Sequence, residues 1–275
     1  MVRIAALQAA NLGSIPSEAI KNCMITIKSK EDIEIIRQNG KIVADTLDLL
    51  CKVAVPGVAT NYLNDIADSF IRSQGAVSSC LGYKGFPKSI CISINEEIVH
   101  GIASERKLEN GQIVTFDVCV NKNGFHADAA VTIPVGNISD EAQKLIDTCK
   151  KSLDVGIESI KVGKRFSIIS EAIYKYIRSE GYSVIREYGG HGIGKELHED
   201  LFIPNYYCIY CKKRLQPEIL EGMTFTLEPM ISLGQRFTKV LNDRWTVVTV
   251  DSSLTAHFEH TLAIINGKAE ILTKR

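Results

Sequence analysis

Two aspartates separated by a turn open the chemistry of this chain. In TFDVCV and FHADAAVT, joined by Asn121-Lys122-Asn123-Gly124, the flanks alternate and are rich in β-branched residues, which reads as a hairpin. Centred on Lys122 and Asn123, the hairpin places Asp117 directly opposite Asp128. Side chains so paired sit roughly 5 Å apart, and like charges there weaken a sheet. Two carboxylates on a mostly apolar hairpin need a reason, and one or two cations between them supply it. The alternative is a solvated pair at a sheet edge, and a slip of one residue would send the carboxylates to opposite faces.

Further candidates lie in the second half. Glu187-Tyr188-Gly189-Gly190-His191-Gly192-Ile193-Gly194 sets a histidine among glycines, which let backbone approach a ligand closely. His198 follows, as a site residue or a surface one. Two glutamates lie in strand-like surroundings, Glu228 in FTLEPM and Glu259 in AHFEHTLA, each either solvated or paired. Taken together, Asp117, Asp128, His191, Glu228 and Glu259 form an oxygen-rich donor set with one imidazole. Bridging carboxylates suit two divalent ions roughly 3.5–4 Å apart, an arrangement that clamps the attacking and leaving oxygens of a hydrolysis. Four carboxylates neutralise two dications and leave room for a bridging hydroxide. Oxygen and nitrogen donors without thiolate favour Mn, Co, Zn or Fe(II) over copper(I).

These residues must be held by a sizeable scaffold, and 275 residues supply one large domain or two small ones. Lys plus Arg and Asp plus Glu both total 32, so there is no bulk bias toward nucleic acid or anionic membrane. Nothing approaches the roughly 20 apolar residues of a membrane span. The eight cysteines are scattered with no secretory signal before them, which suits free thiols in a reducing cytoplasm. Cys208 and Cys211 form a lone C-x-x-C without partner ligands for zinc, leaving a redox role as the alternative. Residues 1–23 read as an N-terminal extension, flexible or an over-long reading of the gene, with Met24 a start of its own. A short strand follows in MITIKS, then Ser29 and Asp32 as a capping box before a helix over 30–50.

A second helix over 61–73, with Thr60 as its cap and Gly75 as its stop, completes a pair whose grammar returns 106 residues later. Gly57 becomes Gly163, Leu63 becomes Ile169, Ile71-Arg72-Ser73 becomes Ile177-Arg178-Ser179, and Gly75 becomes Gly181. Strands follow each pair, over 89–94 and 111–133, then over 222–233 and 246–265. A duplicated α+β half explains the echo: two sheets join into one curved antiparallel sheet with helices on one face and a pocket on the other.

From about Met24 onward the chain resembles type I methionine aminopeptidases of the bacterial kind in peptidase family M24. The resemblance is carried by CLGYKGFPKSICISINEEIVHGI, TFDVCV, GFHADAAVT, YGGHGIGKELHE, FTLEPM and FEHTLAI. It implies the α+β pita-bread fold, with one catalytic domain over 24–275 made of two pseudo-two-fold-related halves at about 24–136 and 137–275. It implies a metallo-exopeptidase with two divalent ions (Co, Mn, Fe(II) or Zn) that removes the initiator methionine from nascent polypeptides when the second residue is small. Asp128 and Glu259 would bridge the ions, Asp117 serve the second, and His191 with Glu228 the first.

By the same resemblance, His100 lies near the substrate amine, His198 bonds the scissile carbonyl, and metal-bound hydroxide attacks with Glu228 as proton shuttle. The methionine side chain would meet Cys80, Tyr83, Phe86, Cys91, Leu197 and Trp245. Phe86 stands where the family commonly has tyrosine and Leu197 where it has phenylalanine; both stay apolar, so methionine remains the expected side chain. A cytoplasmic monomer is implied, without nucleic-acid specificity or membrane, and with a transient ribosome association that no motif here specifies. The rival readings are an Xaa-Pro aminopeptidase, which would usually carry a substantial N-terminal domain, and a peptide-binding relative that has lost its metal ligands.

Overall fold

The computed structural model describes residues 25–207 and 216–275. The proposed extension over 1–23, Met24 and the Cys208–Cys211 pair lie outside the described residues. The chain enters along Ile25–Ser29, which forms no strand although MITIKS reads as one. There the Lys28 amide bonds Gly222 O, and the Lys28 ammonium forms an ion pair with Glu199, both side chains almost fully buried.

Helix α1 (Lys30–Val53) begins on the expected capping box: Ser29 Oγ accepts from the Asp32 amide, and Asp32 accepts from the Ser29 amide. It buries Ile33, Ile36, Val43, Leu47 and Leu50. Helix α2 (Thr60–Ser73) has Ala59 as its cap, so Thr60 is inside the helix and its hydroxyl donates to Ser104 O instead. Strands β1 (Val77–Ser78), β2 (Cys91–Ile94), β3 (Glu97–Val99), β4 (Ile113–Lys122) and β5 (Phe125–Pro134) follow. Helices α3 (Asp140–Glu158) and α4 (Ser167–Ser179) then repeat the helix pair, with Ser139 capping α3. The remaining strands are β6 (Ser183–Val184), β7 (Gly189–Gly192), β8 (Glu199–Pro204), β9 (Thr224–Leu227), β10 (Met230–Ser232), β11 (Thr238–Val240), β12 (Val247–Thr249), β13 (Thr255–His257), β14 (His260–Ile265) and β15 (Lys268–Ile271).

Among the described residues every ladder is antiparallel, and the strands form four hydrogen-bonded groups. The β4–β5 hairpin and the β9–β14 pair meet at the centre of the molecule. Thr261 Oγ1 donates to Asp128 O (2.7 Å) and accepts from the Asp128 amide (2.9 Å), while the Glu259 amide bonds Ala130 O (2.9 Å). Thr132 Oγ1 makes the same two-way contact with His257. β5 therefore runs against residues 257–261 through two threonine hydroxyls, Thr132 and Thr261, with the backbone bond from Glu259 to Ala130 between them.

The hairpin register differs from the expectation. Lys122 pairs with Phe125, so the turn is Asn123-Gly124, at φ 56° and 77°. A two-residue turn of this hand needs positive φ at both positions, which Asn-Gly tolerates and Lys-Asn does not. Asp117 consequently faces Ala130, and Asp128 faces Cys119. The partner moves by two residues, so the side-chain parity survives and both carboxylates still leave the same face.

Candidate active site

The glutamates sit where the chain steps from one sheet to the next. β9 pairs with β14 through Leu227 and His260, and β10 pairs with β13 through Met230 and His257. Glu228-Pro229 and Phe258-Glu259 occupy the gap between those two ladders. Proline has no amide to continue a ladder. The interruption turns both carboxylates toward β4 and β5.

His191 approaches from β7, and glycine makes that approach possible: a Cβ on Gly190 would lie 2.3 Å from Thr226 O. The His191 amide donates to Thr226 Oγ1 (3.0 Å), and that hydroxyl donates to Glu228 Oε1 (3.3 Å). His191 Nδ1 bonds Gly192 O at 3.0 Å; because a carbonyl only accepts, Nδ1 carries the proton and Nε2 is a free electron-pair donor. Nε2 lies 3.7 Å from Glu228 Oε1.

The five residues thus converge from β4, β5, β7, the β9–β10 step and the β13–β14 step. Among the described residues two groups of donor atoms are close enough to hold a metal ion: Asp128, His191 and Glu259, and Asp117, Cys119 and Asp128, each within 4.8 Å of one another and sharing Asp128. Asp128 Oδ1 and Glu259 Oε1 are buried with no hydrogen-bond partner among the described residues. Buried carboxylate oxygens without donors are costly, and divalent cations are the partners that such a donor set fits.

Burial pushes the Asp117 carboxyl up to about 7, with the neighbouring Cys80 adding to the shift, and Glu228 up to about 8, with Asp117 adding. Asp128 and Glu259 are raised well above the carboxylate range by burial and by their acidic neighbours. Burial lowers His191 to about 4, which keeps its imidazole neutral.

Beside the carboxylates lies an apolar wall. Cys80, Phe86, Cys91 and Leu197 are buried in one cluster with Tyr83 and Trp245 packed against it, so all six expected pocket residues come together. Phe86 meets Trp245 edge-on at 5.2 Å. Ile102, Cys119 and Ile193 complete the wall and carried no signal beyond being apolar. His100 follows β3 at φ 60°, an uncommon setting for a side chain with a Cβ. Its ring lies edge-on to Tyr188 (5.8 Å) and Trp245 (6.2 Å). His198 is exposed at the mouth, 4.2 Å between ring centres from His191, with Nδ1 2.9 Å from the Tyr83 hydroxyl.

One neighbour was missed. His257 is 2% exposed, neither ring nitrogen has a hydrogen-bond partner among the described residues, and Nε2 lies 3.9 Å from Glu228 and 3.8 Å from Glu259. Its position two residues before Glu259 was the available signal, since alternate residues of an extended segment share a face.

The chain is similar to known proteins in both sequence and fold. The model of metallopeptidase family M24 matches residues 34–266. Methionine aminopeptidase 1 of Bacillus subtilis (strain 168) is 47% identical over 251 residues, covering 91% of this chain and 100% of that protein. The crystal structure of methionine aminopeptidase from Thermotoga maritima superposes with a TM-score of 0.88 at 39% identity, covering 92% of this chain and 100% of that one. That from Rickettsia prowazekii gives 0.87 at 40% identity, covering 91% and 100%. The chain belongs to the bacterial-type methionine aminopeptidases of metallopeptidase family M24, with their pita-bread fold.

Proposed function

We propose that Asp117, Asp128, His191, Glu228 and Glu259 hold two divalent cations and that the adjoining wall receives the methionine side chain of a peptide's first residue. The enzyme is a metal-dependent aminopeptidase that removes N-terminal methionine. The observation that carries the residue assignment is the pair of donor groups sharing Asp128, with Asp128 Oδ1 and Glu259 Oε1 buried and unpartnered. In the assignment Asp128 and Glu259 would be shared between the cations, Asp117 would serve one, and His191 would serve the other with Glu228, which lies outside both groups but 3.7 Å from His191 Nε2. Two bound cations supply Lewis acidity and lower the pKa of the attacking water.

The chain's own groups do the rest. Cys80, Tyr83, Phe86, Cys91, Leu197 and Trp245 take the thioether into a soft, polarisable wall and exclude water from it. His100, whose ring lies edge-on to Tyr188 and Trp245, is assigned the substrate amine and the scissile nitrogen. With the Tyr83 hydroxyl donating to His198 Nδ1, His198 Nε2 carries a proton and donates it as a hydrogen bond to the scissile carbonyl oxygen. Glu228 takes the proton of the attacking water and passes it to the leaving nitrogen. A bulky second residue would collide with the rim of this pocket, so the substrates are nascent chains beginning with methionine and a small residue.

The same reading takes 24–275 as one catalytic domain of two related halves, working as a cytoplasmic monomer. The repeated helix pair supports the two halves, and the five unpaired cysteines among the described residues support a reducing compartment. Ribosome association follows only from the class of substrate. No helix of the described residues is long and apolar enough to cross a membrane.

Competing Met-Ala-Ser, Met-Leu-Ser and Leu-Ala-Ser peptides test this function. Release of the first residue from Met-Ala-Ser alone is expected. Comparable cleavage of the other two would remove the assigned side-chain and second-residue selectivity.

A further inference from the structure

We propose that Cys119 is itself a ligand of the cation that Asp117 serves, which makes that half of the centre thiophilic. The inference rests on the two-cation reading above and replaces the expectation of a donor set without thiolate. Cys119 follows Asp117 by two residues on β4, so their side chains leave the same face, and it faces Asp128 across the hairpin. Cys119 Sγ lies 3.6 Å from Asp117 Oδ1. That sulfur and one oxygen from each aspartate lie within 4.8 Å of one another. A cation about 2.3 Å from a sulfur and about 2.1 Å from a carboxylate oxygen holds the two at about 3.6 Å when the angle is tetrahedral. Cys119 is buried at the seam where the apolar wall meets the carboxylates. Cys80 and Cys91 share that wall but belong to neither donor group.

On binding, the S–H bond breaks heterolytically, its proton leaves to solvent and the sulfur electron pair bonds the cation; no electron is transferred. Carboxylates alone suit hard ions such as Mn(II), whereas an added thiolate favours Zn(II) and Co(II). One face of the centre then prefers softer ions than an all-oxygen site would.

The test uses the full chain carrying Cys208→Ser and Cys211→Ser, so that the C-x-x-C cannot contribute sulfur. Two equivalents of Co(II) are expected to give a near-ultraviolet thiolate-to-cobalt charge-transfer band that Cys119→Ser abolishes and Cys80→Ala retains. X-ray absorption of the same cobalt-loaded protein without a Cys119 substitution is expected to place a sulfur scatterer at about 2.3 Å. The ratio of Zn(II) to Mn(II) affinity for the second equivalent should fall about tenfold or more in Cys119→Ser. Two bound Co(II) with d–d absorption but no sulfur scatterer, or a charge-transfer band indifferent to Cys119, would overturn the proposal while leaving the two-cation reading intact. A folded protein that binds no cobalt would defeat both.

Discussion

At the scale of single residues, burial sets the protonation of the centre. Asp117 and Glu228 are pushed up to about 7 and about 8, and Asp128 and Glu259 are raised well above the carboxylate range, all chiefly by burial. Unfolded carboxylates titrate near 4. Above about pH 7 unfolded histidines are mostly neutral; the thiols raised in the fold, Cys51 and Cys149 by burial and Cys91 and Cys119 by hydrogen bonding to Cys80, act there in the same direction as the carboxylates, and the lowered Cys80 opposes them. The metal-free folded protein then holds more protons than the unfolded chain, and its stability falls as pH rises from about 7 through 8. Below that range the six histidines, all lowered by burial, work in the opposite direction. Urea midpoints across pH 7 to 9 should decline without cation and stay level with saturating Mn(II). A metal-free protein that gains stability over that range would contradict the buried-carboxylate account. Glu228→Ala removes a ligand and the proton carrier together, so kcat for Met-Ala-Ser should fall by about 10²–10⁴ or more. Near-normal turnover would end that assignment. Leu197→Ala opens the wall without touching a donor atom, so KM should rise or selectivity for methionine relax while metal content is unchanged. Unchanged KM and selectivity would take Leu197 out of the pocket.

At the scale of elements, the site depends on where strands stop. The Glu228-Pro229 step and the glycine-rich β7 strand let side chains converge that regular ladders would hold apart. Gly190→Ala drives a Cβ against Thr226 O and should displace both His191 and the Thr226 hydroxyl that bonds Glu228. Isothermal titration should show weaker cation binding in a folded Gly190→Ala protein, and wild-type affinity would show the contact to be relieved elsewhere. Lys28 pins the entering chain to Glu199, next to His198, through a buried ion pair. Lys28→Ala leaves that carboxylate alone and should cost about 3–5 kcal/mol in urea unfolding; a loss below about 1 kcal/mol would mean that water replaces the ammonium. Much of this level was legible in the residues: the capping box at Ser29, the amphipathic helices and the alternating hairpin flanks all follow local rules. The register expected from a Lys122-Asn123 turn shifts by two residues because Asn123-Gly124 is the pair with positive φ at both positions. The division of the strands into four hydrogen-bonded groups was not legible, since it depends on which strands meet across the centre. Cys119 and His257 escaped for a related reason. Cysteine and histidine in an apolar strand look like core until the opposite strand brings carboxylates beside them.

At the scale of the whole molecule, two sheet systems meet along β5 and residues 257–261, and threonines 132 and 261 fasten the junction from both sides of Glu259. Cations held by residues from both systems would act as a further fastening. Cation binding should therefore stabilise the fold by mass action, about 4 kcal/mol at a free concentration 1,000 times Kd. The most direct measurement of the central claim is a titration of Mn(II) or Co(II) into metal-free protein, following methionine release from Met-Ala-Ser against bound metal. The account predicts no release without metal, activity that saturates by two bound ions per chain, and loss of both binding and release in Glu259→Ala. Methionine release that persists without metal, or that survives Glu259→Ala undiminished, would contradict it.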